Sequence, residues 1–251
     1  MLSETLYIGK KVIELDVVDS TNNYASDLIK GQGAHEGLVV TAHFQEGGKG
    51  QRGNVWLSEP GKNLTFSLVL KPKFLLTSEA FMISKVVSLA ICKYLENRLS
   101  LPIFIKWPND IYVGKKKACG ILIENQFKGN QIEYTVVGIG INVNQIDFYA
   151  LSNVTSLKLE LKQELNLKTE LHNILKYIEI EYLRLQKNEG DALNKEYLEN
   201  LLFIGETKTY KTFDGNITGK ITAVLPNGRL VIETVDGQSK NYDIKEIEFL
   251  I

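Results

Sequence analysis

Apolar residues recur along this chain with two different periods, and the switching between them lays out most of its elements. Residues 63–70 set Leu64, Phe66, Leu68 and Leu70 against Thr65, Ser67 and Val69, the two-residue period of a strand. β-rich runs at 11–18, 38–44, 103–107, 119–124 and 132–140 read as further strands, several of them closed by Pro, Gly or Asn turns. Over 78–98 the period lengthens. Phe81, Val86, Ala90 and Tyr94 then share a broad apolar stripe, which predicts the longest helix. A second long helix is predicted over 170–186, carrying Leu171, Ile174, Leu175, Ile178, Tyr182 and Leu185. A short one follows Asp19-Ser20-Thr21-Asn22, with Tyr24, Ala25, Leu28 and Ile29 on one side.

From about residue 205 the texture changes. Short β-rich runs at 207–212, 217–225, 228–235 and 238–243 are separated by Asp214-Gly215, Pro226-Asn227-Gly228 and Asp236-Gly237, strong turn signals. The pattern describes an α+β domain over 1–203 followed by a small β-barrel over 204–251.

Composition sets limits more than it identifies. A chain of 251 residues with 44% hydrophobic and 24% charged side chains has ample material for a core. A net charge of −1 gives no support to a nucleic-acid partner. Only Cys92 and Cys119 occur, with no paired spacing, as a reducing compartment allows. The N-terminus lacks a signal-peptide pattern, and no apolar stretch approaches the ~18–20 residues that span a bilayer. A cytoplasmic protein without membrane partners is the expectation. His35, His43 and His172 are scattered and form no zinc spacing. A phosphate-bound Mg²⁺ needs few protein ligands and leaves little trace.

Four blocks carry candidate chemistry. Residues 45–56, Gln-Glu-Gly-Gly-Lys-Gly-Gln-Arg-Gly-Asn-Val-Trp, interleave four glycines with Lys49 and Arg52. Bare N–H groups and positive charge suit an anion, and an ordinary hairpin loop would use the same glycines. The stretch is neither a Walker A nor a Gly-x-Gly-x-x-Gly motif. Lys106-Trp107-Pro108-Asn109-Asp110, with Lys117 and Gly120 after it, reads either as an anion- and metal-handling corner or as a turn and a solvated lysine tip. In Gly138-Ile139-Gly140-Ile141-Asn142 two glycines break an apolar strand, which fits a close backbone approach or a β-bulge. Asp19-Ser20-Thr21-Asn22 offers either helix caps or polar groups for a ligand at a helix start.

In this order, the blocks resemble the catalytic domain of the biotin–protein ligases. The family pattern is Asp-Ser-Thr-Asn, Gln-x-x-Gly-Arg/Lys-Gly-x-x-Gly-x-x-Trp, Lys-Trp-Pro-Asn-Asp, Lys-x-x-Gly-Ile-Leu and Gly-x-Gly-Ile-Asn. Here these are residues 19–22, 45–56, 106–110, 117–122 and 138–142. The resemblance covers most of residues 10–160. It implies a mixed β-sheet packed by helices, of the class II synthetase-like kind, with an SH3-like C-terminal barrel. It also implies ATP and biotin as substrates, Mg²⁺, a biotinyl-5′-AMP intermediate, and a lysine of a biotin carboxyl carrier domain as acceptor.

Residue by residue, the resemblance assigns Ser20, Thr21, Asn22, Gln45 and Gly120 to biotin. Gly48, Lys49 and Gly50 wrap its carboxylate or acyl phosphate. Lys117 bridges carboxylate and α-phosphate and is the first catalytic candidate, with Lys49 and Arg52 beside it. Gln51, Arg52, Trp56 and Asn142 belong to the nucleotide, and Asp110 to a metal or the acceptor. One position departs from the pattern: many members carry Arg where this chain has Gln51. Lipoate– and octanoate–protein ligases share the fold and are the alternative, while Lys-Trp-Pro-Asn-Asp and the Gly-Lys-Gly loop favour biotin. Some members carry an N-terminal helix-turn-helix; the first motif, at Asp19, leaves no room for it, so an enzyme without DNA binding is expected. Members often form homodimers through sheet edges.

Overall fold

A computed structural model describes residues 4–148 and 151–250, apart from the side chains of Gln32 and Arg52. Seven strands form the main sheet: β1 (Val12–Val18), β2 (Val39–Gln45), β3 (Leu64–Leu70), β4 (Ile103–Lys106), β5 (Asp110–Val113), β6 (Lys116–Lys128) and β7 (Gln131–Ile141). Their order is β1-β2-β3-β7-β6-β5-β4. The β1–β2 pair is parallel and the other neighbours are antiparallel, so the sheet is mixed.

Alternation along the central strands gives the sheet two unlike faces. Phe66, Ile139 and Ile121 stand opposite one another across β3, β7 and β6, and join the main core. Over this face lie α2 (Phe81–Glu96), α4 (Leu167–Gln186) and α5 (Gly190–Glu199), which bury Leu89, Ile178 and Tyr197 among others. The opposite face carries small residues. Thr65, Gly140 and Gly120 form one cross-strand row, and Ser67 stands opposite Gly138 in the next. α1 (Thr21–Gln32) covers only part of that face, through Ala25 and Ile29 against Val40, Val69 and Val136. The uncovered small-residue rows leave a depression beside its N-terminus.

A network of charges ties the three helices together. Lys93 on α2 pairs with Glu181 on α4 at 2.9 Å and with Glu196 on α5 at 2.7 Å, while Arg184 reaches Glu181 and Glu196 at 2.7 and 2.5 Å. Hydrogen bonding from Arg184, then from Lys93, holds the Glu196 carboxyl down at about 2, against an ordinary 4.5. A carboxylate whose folded pKa is depressed contributes stability above its unfolded value and loses it as pH falls toward the folded one. Urea midpoints should therefore drop between pH 4.5 and about 2, and Glu196→Gln should flatten that drop while lowering the midpoint at pH 7. An equally steep drop in Glu196→Gln would remove this carboxylate from the acid response.

The second sheet follows: β8 (Thr207–Thr212), β9 (Gly215–Val224), β10 (Leu230–Thr234), β11 (Ser239–Tyr242) and β12 (Ile247–Phe249), in the order β11-β10-β9-β8-β12. It is antiparallel, and its first four strands fall on the four predicted runs. Its inner residues Tyr210, Ile221, Leu230 and Phe249 join the same core as the main sheet. Ahead of the second sheet, β5, α5 and the short α3 (Leu157–Leu161) are elements that the hydrophobic periods do not announce. The turn read at Asn109-Asp110 falls at 107–109, and Asp110 itself opens the four-residue strand β5, which pairs with both β4 and β6.

Candidate active site

The depression on the small-residue face is a cavity of about 240 Å³. Its wall includes Ser20, Thr21, Asn22, Gln45, Lys49, Gly50, Gln51, Trp56, Asp110, Lys117 and Gly120, so one surface collects nearly all the residues singled out from the sequence. Gly48 and Asn142 are not among its lining residues, and the Arg52 side chain lies outside those described.

At one end the polar groups are uncharged and interlocked. The Gln45 Oε1 accepts from the Thr21 backbone N–H at 2.8 Å and from its hydroxyl at 3.0 Å. Ser67 Oγ lies 2.8 Å from Thr21 Oγ1 and 2.5 Å from Asn22 Oδ1, and its single proton serves one of them at a time. Asn22 in turn donates to Glu124 at 2.7 Å. Ser20 occupies the N-cap position of α1 and makes no capping hydrogen bond, so the reading of this block as helix caps does not describe it. Ser67 escaped the sequence reading because the alternation marked it only as the polar side of a strand.

The two strand glycines admit close neighbours, and the pairing irregularity of β6 and β7 lies elsewhere, at Gln126/Phe127. A Cβ on Gly138 would sit 2.4 Å from Asn22 Oδ1, and one on Gly140 2.3 Å from Trp56 Cε2. The Trp56 indole thus lies across Gly140 and Gly120, its buried N–H without a partner among the described residues. Gly48 lies against the backbone of the same residue: a Cβ there would meet the Trp56 carbonyl at 2.5 Å. The loop is a compact hairpin, with Trp56 N–H donating to Gly48 O at 2.8 Å and Gly50 N–H to Asn54 O at 2.7 Å. Lys49 reaches back to Asn23 Oδ1. Asn23 also donates to Asp19 at 2.5 Å, and that bond, more than Lys49, holds the Asp19 carboxyl below its usual range.

The cationic end is built by β5 and β6. Lys117 lies beside a β-bulge, since the pairing shifts between Ile111 and Tyr112, and bulges re-aim side chains. Its ammonium pairs with Asp110 at 2.7 Å and stands 5.8 Å from the Trp56 ring. Its backbone is fixed on both sides, by N–H to Asn153 O at 2.8 Å and by its carbonyl to Thr155 N–H at 2.9 Å. Asn142, expected to face a nucleotide, is turned into the protein: it is 2% exposed, and its amide donates to the Thr155 carbonyl at 3.0 Å. Thr155 in turn donates its N–H to the Lys117 carbonyl, so Asn142 is joined to the cavity wall only through backbone. Lys115 and Lys116 are exposed at the hairpin tip.

Other wall residues had no sequence signal. Ile247, Glu248 and Phe249 come from β12, a three-residue strand without a flanking turn signature. Among the described residues, no group of three or more His, Cys, Asp or Glu forms a metal cage. Asp110 and Glu248 are the carboxylates in the wall.

Comparison with known proteins finds relatives along most of the chain. Residues 14–142 match the model of the biotin/lipoate A/B protein ligase family. The bifunctional ligase/repressor BirA of Bacillus subtilis is 30% identical over 243 residues, spanning 95% of this chain and 74% of that protein. The biotin–[acetyl-CoA-carboxylase] ligase of Paracoccus denitrificans is 33% identical over 127 residues, or 50% of this chain and 51% of its own. The biotin protein ligase of Aquifex aeolicus, solved with biotin and ATP, superposes with a TM-score of 0.79 at 29% identity, covering 95% of this chain and 98% of that one. The chain belongs to the biotin/lipoate A/B protein ligase family. Two of these relatives, from Paracoccus denitrificans and Aquifex aeolicus, are named as biotin ligases.

Proposed function

We propose that this chain activates biotin with ATP and transfers the biotinyl group to a lysine of a biotin carboxyl carrier domain. The observation that carries the reading is an uncharged polar end, Thr21 and Gln45, facing a cationic end, Lys117, in one cavity floored by glycines. In the first step a biotin carboxylate oxygen bonds to the α-phosphorus of ATP and pyrophosphate leaves. In the second the acceptor amine attacks the acyl carbon, AMP leaves, and the amine loses its proton.

Ser20, Thr21, Asn22 and Gln45 would donate to and accept from the ureido ring, and the bare backbone at Gly120 would let the ligand lie close. Lys117 would leave Asp110 to sit between carboxylate and α-phosphate, offsetting charge that builds as two anions react. Lys49 and Gly50, with Arg52, would close over the acyl phosphate and keep water from the anhydride. Gln51 and Trp56 would meet the nucleotide. Mg²⁺ would screen the triphosphate. Asp110, once released by Lys117, and Glu248 suit an ion that binds through one or two carboxylates. We further propose a division of the chain at 203/204, a cytoplasmic setting, and a homodimer through β1, the edge strand on which Val17 is 57% exposed.

Incubating the chain with ATP and either biotin, lipoate or octanoate tests the substrate. Biotinyl-AMP by mass spectrometry is expected, and an adenylate formed only from lipoate or octanoate would overturn the reading. The uncharged Gln51 bears on the second step. Gln51→Arg is expected to slow release of free biotinyl-AMP by roughly tenfold, about the worth of one charge-assisted hydrogen bond. Release at an unchanged or faster rate, measured in filtrates, would sink that assignment.

A further inference from the structure

The second sheet touches the cavity with one strand and the helical layer with another part. β12 brings Glu248 and Phe249 to the wall, where the Phe249 ring centre lies 5.8 Å from Lys106 Nζ. One strand, β8, separates β12 from β9. The β9–β10 turn is seated instead against the main domain, on two donors. The Trp107 indole N–H donates to the Gly228 carbonyl at 3.0 Å. The Lys85 ammonium, from α2, donates to the Val224 carbonyl at 3.3 Å and to Asn194 of α5 at 2.5 Å.

Both donors are unusual for a merely packed interface. Lys85 is 2% exposed, has no carboxylate partner among the described residues, and lies between the Phe81 and Tyr197 rings at 5.8 and 5.6 Å. Burial pushes its ammonium down to about 8. An apolar side chain of similar volume would hold such a site as well or better, so the charge points to orientation rather than to stability. Trp107 is 3% exposed and lies within the segment 106–110, all of which lines the cavity. Gly228 has a φ of +89°, and a Cβ there would meet the Phe81 ring at 2.5 Å, so only glycine seats this turn.

We infer that Trp107, Lys85 and Gly228 are positioning residues for the nucleotide half of the reaction: they seat the β9–β10 turn and, through the sheet, fix where Glu248 and Phe249 stand in the cavity wall. The inference rests on the ATP-dependent reading above. Trp107→Phe, Lys85→Met and Gly228→Ala test it in biotin-dependent ATP–pyrophosphate exchange. Each is expected to raise KM for ATP about fivefold, the scale of one lost buried hydrogen bond, with KM for biotin within about twofold of the starting value. Backbone hydrogen–deuterium exchange at residues 247–249 should quicken in the same variants.

Equal rises in both KM values, or an unchanged KM for ATP, would overturn the assignment and leave these contacts a role in folding alone. Lys85→Met preserves the test if the other variants misfold, because it removes a buried charge and keeps the packing volume. A starting chain with no biotin-dependent pyrophosphate exchange would sink the proposed function instead. The deuterium measurement would then still test the seating of residues 247–249, with unchanged exchange there counting against it.

Discussion

Lys117→Ala is expected to slow formation of biotinyl-AMP by roughly 10²–10³-fold, the usual scale for losing one preorganised electrostatic partner of a transition state. The lysine stands beside a β-bulge, its backbone fixed through Asn153 and Thr155 and its ammonium 2.7 Å from Asp110. Removing it leaves the Asp110 carboxylate unpaired in the cavity, so an anionic substrate would meet repulsion where it now meets a cation. The fold should tolerate the change. The side chain is 29% exposed, and partly exposed ion pairs contribute little to stability. Single-turnover adenylation and thermal unfolding, measured together, separate the effects. Full adenylation in Lys117→Ala would remove this residue from the chemistry.

The second large effect is steric. Gly140→Ala would bring a methyl to 2.3 Å from Trp56 Cε2, and the ring cannot flex away as a long side chain would. Trp56 is held at its backbone by Gly48 as well. Overpacking of this kind costs about 1–3 kcal/mol. If that cost is met by moving the indole out of the cavity, adenylation should fall by on the order of tenfold to a hundredfold. Gly31→Ala serves as the control. Gly31 lies in α1, and a Cβ there would meet nothing within 4 Å. It should gain up to about 1 kcal/mol of helix stability and keep its activity. Equal behaviour of the two variants in adenylation would show that the glycine floor has no part in ligand binding.

What could be read in advance divides along physical lines. Long elements with a clear period, such as β3 and α2, announce themselves because one face must be apolar. Contiguous motifs did the same for the site: Lys49 and Gly50 of the Gly-rich loop and residues 106–110 line one cavity. Pairwise geometry was not legible. The glycines at 138 and 140 implied a close approach, and nothing along the chain said that Asn22 and Trp56 make it. Ser67 joins the site only because its strand lies beside β7, and Asn142 turns inward because Thr155 offers it a carbonyl. Phe249 lies on a strand of three residues, too short for any period to register.

A streptavidin blot bears most directly on the central claim. A biotin carboxyl carrier domain is incubated with the chain, Mg²⁺, ATP and biotin, and its acceptor lysine is replaced by Arg in a parallel sample. The account predicts a band on the carrier domain that vanishes without ATP and in the Lys→Arg acceptor. No band with all components present, or a band that persists without ATP, would contradict it.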